Sequence, residues 1–279
     1  MLLAIDVGNT ETVVGLFCTG ADEDPPPQGR PRPPVPPEPV GLTHHWRIST
    51  VDVRTADEHA LLLTELLNLD GLDVSKVVTD MAVTSSVPMV TGALRQMAAR
   101  WFDVRCMVLE PGVRSGMPIL YDSPKEVGAD RIANAVGAFD LYGGPCVVVD
   151  MGTATTLDAV SEAGEYLGGA IAPGVAISLE ALFQHAAALR RVELVEPRAA
   201  IGRSTAEAIQ SGVLFGFAAM LDGMCRRFVA ELGPSTIVAT GGLSELVAPF
   251  AETVDHVDPW LTLYGLRLVY ERNVASAQR

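Results

Sequence analysis

The chain has 279 residues, of which 48% are hydrophobic, a composition typical of folded proteins with packed cores and not of disordered ones. Its formal net charge of −14 at pH 7 argues against a broad surface that binds nucleic acid or anionic lipid. That charge does not exclude a phosphate ligand, because backbone amides and a bound cation can hold phosphate without a basic surface.

The beginning of the chain and its cysteines predict a cytoplasmic protein. The first apolar run lacks a basic leader and is interrupted by Asp6, so it is a poor signal peptide. The sequence contains no uninterrupted apolar stretch that we expect to span a bilayer. The cysteines are widely spaced and form no CxxC pair, which predicts reduced thiols in apolar surroundings. They are Cys18, Cys106, Cys146 and Cys225.

The first predicted element is a strand at residues 2–6, followed by a Gly-Asn-Thr turn at residues 8–10 and a second β-rich run at residues 12–17. This pattern is that of a strand, a tight turn and a strand. Residues 21–41 come next and are crowded with proline, which predicts an exposed, extended insertion. A proline-rich docking peptide is the alternative interpretation of this segment.

Predicted strands and helices then alternate along the chain. They are a strand that follows Trp46, a helix at residues 56–68, a strand at 77–85, a helix at 87–101 and a strand at 104–109. Alternation of this kind predicts a mostly parallel sheet with both faces covered. A further helix is predicted at residues 132–141.

A second strand that ends in an acidic residue lies at residues 146–150, and hydroxyl side chains and a β-rich run follow it. The segments AIDVGNTETVVG, at residues 4–15, and VVDMGTATTLDA, at residues 148–159, share one order of features. Each has an apolar strand, an Asp-x-Gly turn, hydroxyl residues and a second strand. This internal repeat predicts two halves of one design.

An Asp-x-Gly turn at the end of a buried strand suits a phosphate ligand. Glycine lets the backbone approach a phosphate closely, and turn amides with Thr or Asn side chains donate to its oxygens. The carboxylate would repel phosphate unless a cation lay between them. A single Asp-x-Gly is also an ordinary hairpin turn, and it is the second copy that favours the phosphate interpretation.

A third segment has a predicted strand at residues 237–240, the glycine pair Gly241 and Gly242, and a helix predicted to begin at Ser244. A glycine turn of this kind lets a nucleoside lie against the backbone. A loop that only initiates a helix explains the segment equally well.

Together these three segments resemble the phosphate-1, phosphate-2 and adenosine motifs of the acetate kinase, sugar kinase, Hsp70 and actin superfamily. The finer pattern resembles type III pantothenate kinases from residue 1 to about residue 273. The shared motifs are Asp-x-Gly-Asn-Thr with a later glycine (residues 6–15), Gly-Ala-Asp-Arg (128–131), Asp-x-Gly-Thr-Ala-x-Thr (150–156), Gly-Gly-x-Ile-x-Pro-Gly (168–174) and Thr-Gly-Gly (240–242).

The resemblance implies an α/β fold of two related ribonuclease H-like domains of the actin-like ATPase type, with the nucleotide in the cleft between them. It implies domains at residues 1–118, with the proline-rich loop at 21–41, and at residues 119–279. The implied reaction is the ATP-dependent phosphorylation of pantothenate to 4′-phosphopantothenate, the first step of coenzyme A biosynthesis. The implied enzyme is a homodimer without nucleic-acid or membrane partners.

The same resemblance assigns roles to residues. It implies Asp130 as the catalytic proton acceptor, Asp6 as a ligand of Mg²⁺ through water, and Asp150 as a ligand of a monovalent cation, K⁺ or NH₄⁺. The implied ATP-binding residues are Asp6, Val7, Gly8, Asn9, Thr10, Glu11, Thr12, Val13, Thr153, Gly241 and Gly242. The implied substrate-binding residues are Tyr121, Gly128, Ala129, Asp130, Arg131 and Thr205.

Alternatives stay open for several of these assignments. Asp130 could instead cap the predicted helix, and Arg131 could be a surface ion-pair partner. The chain has Gly-Arg-Ser-Thr at residues 202–205 where the family often has Gly-Lys-Asn-Thr, and its segment at 21–41 is longer than the usual connection. The rival functions are a kinase of another small metabolite and a non-catalytic family member that acts as a transcriptional accessory factor.

Overall fold

The computed structural model describes residues 1–18, 41–186 and 189–277, and within these ranges the chain forms two compact units. The first unit comprises residues 1–18, 41–137 and 260–277, and the second comprises the described part of 138–259. The boundary predicted between residues 118 and 119 divides the chain into its two related halves and not into these compact units. It stays a prediction. Apart from Gly41, the predicted proline-rich insertion lies outside the described residues.

The first unit is built on a five-stranded sheet with the strand order β3-β2-β1-β4-β5. Its strands are β1 (Leu2–Val7), β2 (Glu11–Phe17), β3 (Leu42–Ser49), β4 (Asp80–Ser85) and β5 (Arg105–Val108). The β1–β2 and β2–β3 pairs are antiparallel, whereas β1–β4 and β4–β5 are parallel. The prediction of a mostly parallel sheet is therefore wrong. A tight turn joins β1 directly to β2, and only antiparallel neighbours can be joined in that way.

The second unit repeats this sheet. Its strands are β6 (Cys146–Met151), β7 (Ala154–Val160), β8 (Tyr166–Pro173), β9 (Thr236–Thr240) and β10 (His256–Val257). They lie in the order β8-β7-β6-β9-β10, with β6–β7 and β7–β8 antiparallel and β6–β9 and β9–β10 parallel. The order and the strand directions match those of the first sheet position by position, so the predicted internal repeat is confirmed.

The helices that surround the two sheets are α1 (Ala56–Leu69), α2 (Val74–Val77), α3 (Pro88–Met97), α4 (Ala129–Tyr142), α5 (Val175–His185), α6 (Thr205–Leu232), α7 (Ser244–Val247) and α8 (Leu261–Ala277). The helix predicted at residues 56–68 is confirmed as α1, which begins at a capping box formed by Thr55 and Glu58. The helix predicted at 132–141 is α4 and begins three residues earlier than expected.

The core of the first unit lies between the sheet and helices α1 and α3. Leu3, Ile5 and Val7 of β1 point into this core. Because side chains alternate along a strand, Asp6 lies on the opposite face of the sheet. Helix α8 packs on that face so closely that a Cβ at Gly15 would lie 2.8 Å from Leu263 Cδ1. Gly15, the later glycine of the first motif, therefore allows α8 to pack closely on the sheet.

The core of the second unit lies between its sheet and helices α5 and α6. By length and composition, α6 is the one described helix that could cross a membrane. In the structure, 44% of its most apolar stretch is buried. Leu214, Leu221 and Cys225 of α6 belong to the core that contains Val147 and Val149 of β6. Helix α6 is thus a core helix of this unit.

Helices α4 and α8 cross at small residues within the first unit. A Cβ at Gly265 would fall far inside van der Waals contact with the carbonyl oxygen of Ala133, and a Cβ at Gly137 would lie 3.0 Å from the carbonyl oxygen of Leu261. Near the crossing, the Thr262 hydroxyl donates to Asn134 Oδ1 at 2.7 Å. The crossing holds α4, and with it the first turn that carries Asp130.

We expect Gly265→Ala to lower the free energy of unfolding by about 2–3 kcal/mol, because the added methyl group forces two backbones apart. Urea denaturation measures the change. The control is Gly223→Ala in α6, where a Cβ has no neighbour within 4 Å and where alanine should stabilise the helix by about 0.5–1 kcal/mol. A Gly265→Ala protein as stable as the unmodified chain would contradict the close crossing.

Candidate functional site

The first candidate segment is the turn between β1 and β2. Asp6 is the penultimate residue of β1, and it lies opposite Val13 of β2. The Gly8 amide donates to the Glu11 carbonyl at 3.0 Å, and a Cβ at Gly8 would lie 3.0 Å from the same oxygen. The tight turn therefore closes with glycine at this position, as the sequence predicted.

Thr50, directly after β3, makes three hydrogen bonds to this hairpin. Its amide donates to the Thr10 carbonyl at 3.0 Å, and its hydroxyl donates to the Gly8 carbonyl at 2.8 Å. The Thr12 and Thr50 hydroxyl oxygens are 2.8 Å apart. Because a hydroxyl has one proton and that of Thr50 goes to Gly8, Thr12 is the donor in this pair. The sequence motifs did not include Thr50, which carries no signal beyond a hydroxyl after a strand.

Thr12 is only 4% exposed, and its hydroxyl is engaged by Thr50. Its predicted contact with ATP would therefore have to come from the backbone. Glu11 pairs with Arg47 of β3 at 2.6 Å, and both side chains are partly exposed. An exposed ion pair of this kind contributes little to stability.

The corresponding turn of the second unit lies between β6 and β7. The Gly152 amide donates to the Ala154 carbonyl at 3.0 Å, and the Gly174 amide donates to the Thr153 carbonyl at 3.2 Å. Gly174 is the cap residue at the start of α5, and a Cβ there would lie 2.5 Å from the Gly152 carbonyl. The two turn carbonyls thus face the beginning of α5, which is why the Gly-Gly-x-Ile-x-Pro-Gly segment must end in glycine.

A buried polar chain follows this turn along β7. The carboxylate of Asp158 is fully buried and accepts from the Thr156 hydroxyl at 3.1 Å and from the Tyr166 hydroxyl at 2.6 Å. Thr156 lies opposite Asp150 in the β6–β7 pair, so the two side chains share a face of the sheet. The sequence analysis did not select Asp158, although a carboxylate in an otherwise β-rich run was a detectable signal.

The third segment packs directly against Asp150. Thr240, the last residue of β9, pairs with Asp150, and Gly241 follows with a φ of 90°. A Cβ at Gly241 would lie 2.5 Å from Asp150 Oδ1. Ser244 is buried and its hydroxyl donates to the Gly241 carbonyl at 2.7 Å, which confirms the predicted helix start. The fold therefore brings together two motifs that are about ninety residues apart in the sequence.

The Gly-Ala-Asp-Arg segment forms the start of α4. Asp130 is half-buried, and its Oδ1 accepts from the Arg131 amide at 2.8 Å. A Cβ at Gly128 would collide with that carboxylate oxygen. The side chain thus has a local role close to that of a helix cap, but it sits inside the first turn of α4. Arg131 is only 9% exposed, which does not fit a surface ion pair.

The predicted substrate residues Tyr121 and Thr205 lie outside the Gly-Ala-Asp-Arg segment. Tyr121 is 37% exposed, in the irregular segment before α4. Thr205 is the first residue of α6, behind the cap residue Ser204, whose side chain accepts from the Glu207 amide at 3.2 Å. Arg203, at the position where the family often has lysine, donates its amide to Glu207 Oε2 at 2.9 Å. The departure from the family pattern is therefore accommodated as a helix cap.

The predicted site residues are divided between the two units. Asp6, the first turn, Tyr121 and the start of α4 belong to the first unit, whereas Asp150, Thr153, Thr205 and the Gly241–Gly242 turn belong to the second. Within the described residues, no cluster of three or more His, Cys, Asp or Glu side chains could hold a metal ion. Mg²⁺ bound with ATP needs only one or two carboxylates, since phosphates and waters complete its shell. The oxygen donors of Asp6 and of Asp150 with Thr156 fit hard cations.

A family model described as type III pantothenate kinase matches residues 2–227 of the chain. A type III pantothenate kinase from Streptomyces avermitilis is 50% identical over 283 residues, which cover 99% of each chain. One from Myxococcus xanthus is 50% identical over 277 residues, covering 99% of this chain and all of that protein.

Two solved structures share the fold at low identity. A conserved putative Baf family transcriptional activator from Campylobacter jejuni has a TM-score of 0.57 at 18% identity, over 98% of this chain and 99% of that one. An activator of 2-hydroxyisocaproyl-CoA dehydratase from Clostridium difficile, with bound ADPNP, has a TM-score of 0.53 at 12% identity, over 100% and 97%. The predicted α/β fold of two related halves is confirmed.

We expect Gly241→Ala to destabilise the protein by more than backbone strain alone, because the methyl group would displace the Asp150 carboxylate. Gly233→Ala is the matched control, since Gly233 has a φ of 86° and no atom within 4 Å of an added Cβ. Strain at a positive φ costs about 1–2 kcal/mol, so Gly233→Ala should lose that amount and Gly241→Ala more. Thermal unfolding measures both, and equal losses would mean that Asp150 is not confined by Gly241.

Proposed function

This chain belongs to the type III pantothenate kinase family, and we propose that it transfers the γ-phosphate of ATP to the 4′-hydroxyl of pantothenate. The product, 4′-phosphopantothenate, belongs to coenzyme A biosynthesis. The observation that carries the proposal is the identity of about half of the residues with named pantothenate kinases along nearly the whole chain. A match of that length includes both units, and therefore every segment described above.

The two glycine turns are the proposed phosphate sites. In each turn, backbone carbonyls accept hydrogen bonds from a residue outside the turn. Thr50 donates to those of Gly8 and Thr10 in the first unit, and the Gly174 amide donates to that of Thr153 in the second. Turn amides can then donate to phosphate oxygens. The proposed ATP contacts in the first unit run from Asp6 to Val13. Those in the second unit are Thr153, Gly241 and Gly242.

Cations would offset the charge of the bound phosphates. We assign Mg²⁺ to Asp6, through water, because a carboxylate at the end of a strand beside a phosphate turn needs a cation between the two. We assign K⁺ or NH₄⁺ to Asp150, whose carboxylate is confined by Gly241 and lies opposite the Thr156 hydroxyl. When bound, these ions would neutralise charge on the phosphate oxygens during transfer.

The start of α4 is the proposed acceptor site. Asp130 would accept the proton of the pantothenate hydroxyl while that oxygen bonds to the γ-phosphorus and ADP leaves. Arg131 offers the fork of donors that a substrate carboxylate requires. Gly128, Ala129, Tyr121 and Thr205 are the further proposed substrate contacts.

We propose a cytoplasmic homodimer that binds no nucleic acid and no membrane. All four cysteines are free, and burial raises the pKa of the Cys146 thiol to about 12, which suits unreactive thiols in a reducing compartment. The edge strand β8 exposes Leu167 and Ile171, and helix α5 exposes Ile177 and Leu182, and a second subunit could cover apolar side chains of this kind. Light scattering tests the dimer, and a monomer mass would overturn it.

We expect Asp130→Asn to lower kcat by about 10²–10⁴-fold, because the amide cannot accept the hydroxyl proton. Its thermal unfolding should stay close to that of the unmodified protein. Glu126→Gln, an exposed change four residues earlier, is the control and should keep full activity. Undiminished turnover by Asp130→Asn would rule out Asp130 as the general base.

The proposed reaction is tested by ADP release with Mg·ATP and pantothenate in potassium, ammonium or sodium salts. We expect turnover that depends on pantothenate and on potassium or ammonium, because Asp150 would hold the monovalent ion. Turnover with a different small alcohol in place of pantothenate would point to another metabolite kinase. A folded, dimeric protein that is inactive in every salt would instead favour a non-catalytic accessory factor.

A further inference from the structure

Thr50 lies outside every phosphate motif, yet it makes the side-chain hydrogen bonds that hold the first turn. We infer that Thr50 is a positioning residue for ATP, which orients the turn after β1 so that the amides of Asn9 and Glu11 face the phosphates. The inference rests on the proposed function, since it concerns the same nucleotide site. Thr50 itself touches no reacting atom in this assignment.

The geometry of the peptide bond links each turn carbonyl to the amide that follows it. In a trans peptide the carbonyl and the following amide point in opposite directions. Thr50 holds the carbonyls of Gly8 and Thr10, at 2.8 Å and 3.0 Å. These two bonds therefore direct the amides of Asn9 and Glu11 away from Thr50. Two peptide planes of the turn are set by one residue.

The internal repeat shows what is specific to Thr50. Ala154 pairs with Pro173 in the second unit, as Glu11 pairs with Ser49 in the first, so Gly174 is the counterpart of Thr50. Gly174 reproduces the amide bond, to the Thr153 carbonyl, but it has no hydroxyl. Its turn is instead packed against the start of α5.

Thr155 shows the consequence of losing the hydroxyl. It is the counterpart of Thr12, since Thr12 pairs with Val7 and Thr155 pairs with Met151. Thr155 Oγ1 is buried and has no hydrogen-bond partner among the described residues, whereas Thr12 Oγ1 is satisfied by Thr50. In the first unit, α1 begins only at Ala56, so the helix start cannot support the turn as α5 does. The Thr50 side chain supports the turn instead.

The test compares three single variants of the full chain. Thr50→Val keeps the shape and the amide bond but removes both hydroxyl contacts, and Thr50→Ser keeps the hydroxyl. Thr43→Val is the matched control, because the Thr43 hydroxyl also donates to a backbone carbonyl, that of Leu16, at 2.9 Å, but it joins β3 to β2 at the end of the hairpin away from the turn.

We expect Thr50→Val to raise the KM for ATP about tenfold, which corresponds to about 1.4 kcal/mol, the order of one hydrogen bond. The KM for pantothenate should change less than twofold. Thr50→Ser and Thr43→Val should both stay within about twofold of the unmodified enzyme for ATP. If Thr50→Val and Thr43→Val have the same KM for ATP, Thr50 is structural only and the inference fails.

A double variant separates positioning from stability. In Thr50→Val the Thr12 hydroxyl is left buried without its partner, which destabilises the fold. Thr12→Val with Thr50→Val removes that unpaired group, so its denaturation midpoint should rise above that of Thr50→Val. The KM for ATP should remain raised, because Gly8 still lacks its donor. If the double variant recovered both the denaturation midpoint and the KM for ATP of the unmodified protein, the positioning role would be overturned.

Calorimetric titration with Mg·ADP measures nucleotide binding without turnover. We expect the affinity of Thr50→Val to fall by several-fold relative to Thr43→Val. An unmodified protein that binds Mg·ADP but does not phosphorylate pantothenate would count against the proposed reaction and leave the Thr50 comparison intact. Equal affinities of the two variants would count against Thr50 alone.

Discussion

The proposed phosphate sites depend on one constraint: a glycine turn at the end of a buried strand has to keep its carbonyls occupied if its amides are to face a ligand. Both units meet this constraint with the same strand order and the same antiparallel hairpin. They differ in what engages the carbonyls. The first unit uses the Thr50 hydroxyl and amide, and the second uses Gly174 at the start of α5. The duplicated design thus tolerates two local solutions to one requirement.

Glycine supports this arrangement by permitting close approach. Gly241 lies against the Asp150 carboxylate, Gly174 against the turn that contains Thr153, and Gly265 against the backbone of α4. In each case an added Cβ would overlap a carboxylate or carbonyl oxygen in or next to the proposed site. A larger residue at any of these positions would therefore shift those oxygens. A buried carboxylate such as Asp158 is held by two hydroxyl donors for a related reason, since an unsatisfied buried charge is costly.

Much of the fold was predictable because its signals are local. The strands around Asp6 and Asp150, helix α1 and the turn before Ser244 were each predicted from apolar runs and turn residues, and the repeat of the two hairpins predicted the duplicated sheets. The prediction of mostly parallel strands failed because alternation along the chain does not specify which neighbours a hairpin joins. The early start of α4 was missed because Ala129 and Asp130 carry no apolar periodicity.

The sequence by itself determined the family, the two Asp-x-Gly turns and the candidate residues at the start of α4, because these depend on residue types at short spacing. Only the tertiary structure decided that Gly241 confines Asp150, that Thr50 holds the first turn and that Thr156 lies opposite Asp150 while it donates to Asp158. Most of those contacts join residues from different strands or turns, and their partners are set by sheet register and helix packing. A single sequence carries no local signal of either, so the hydrogen bonds that orient the site become visible only in the folded chain.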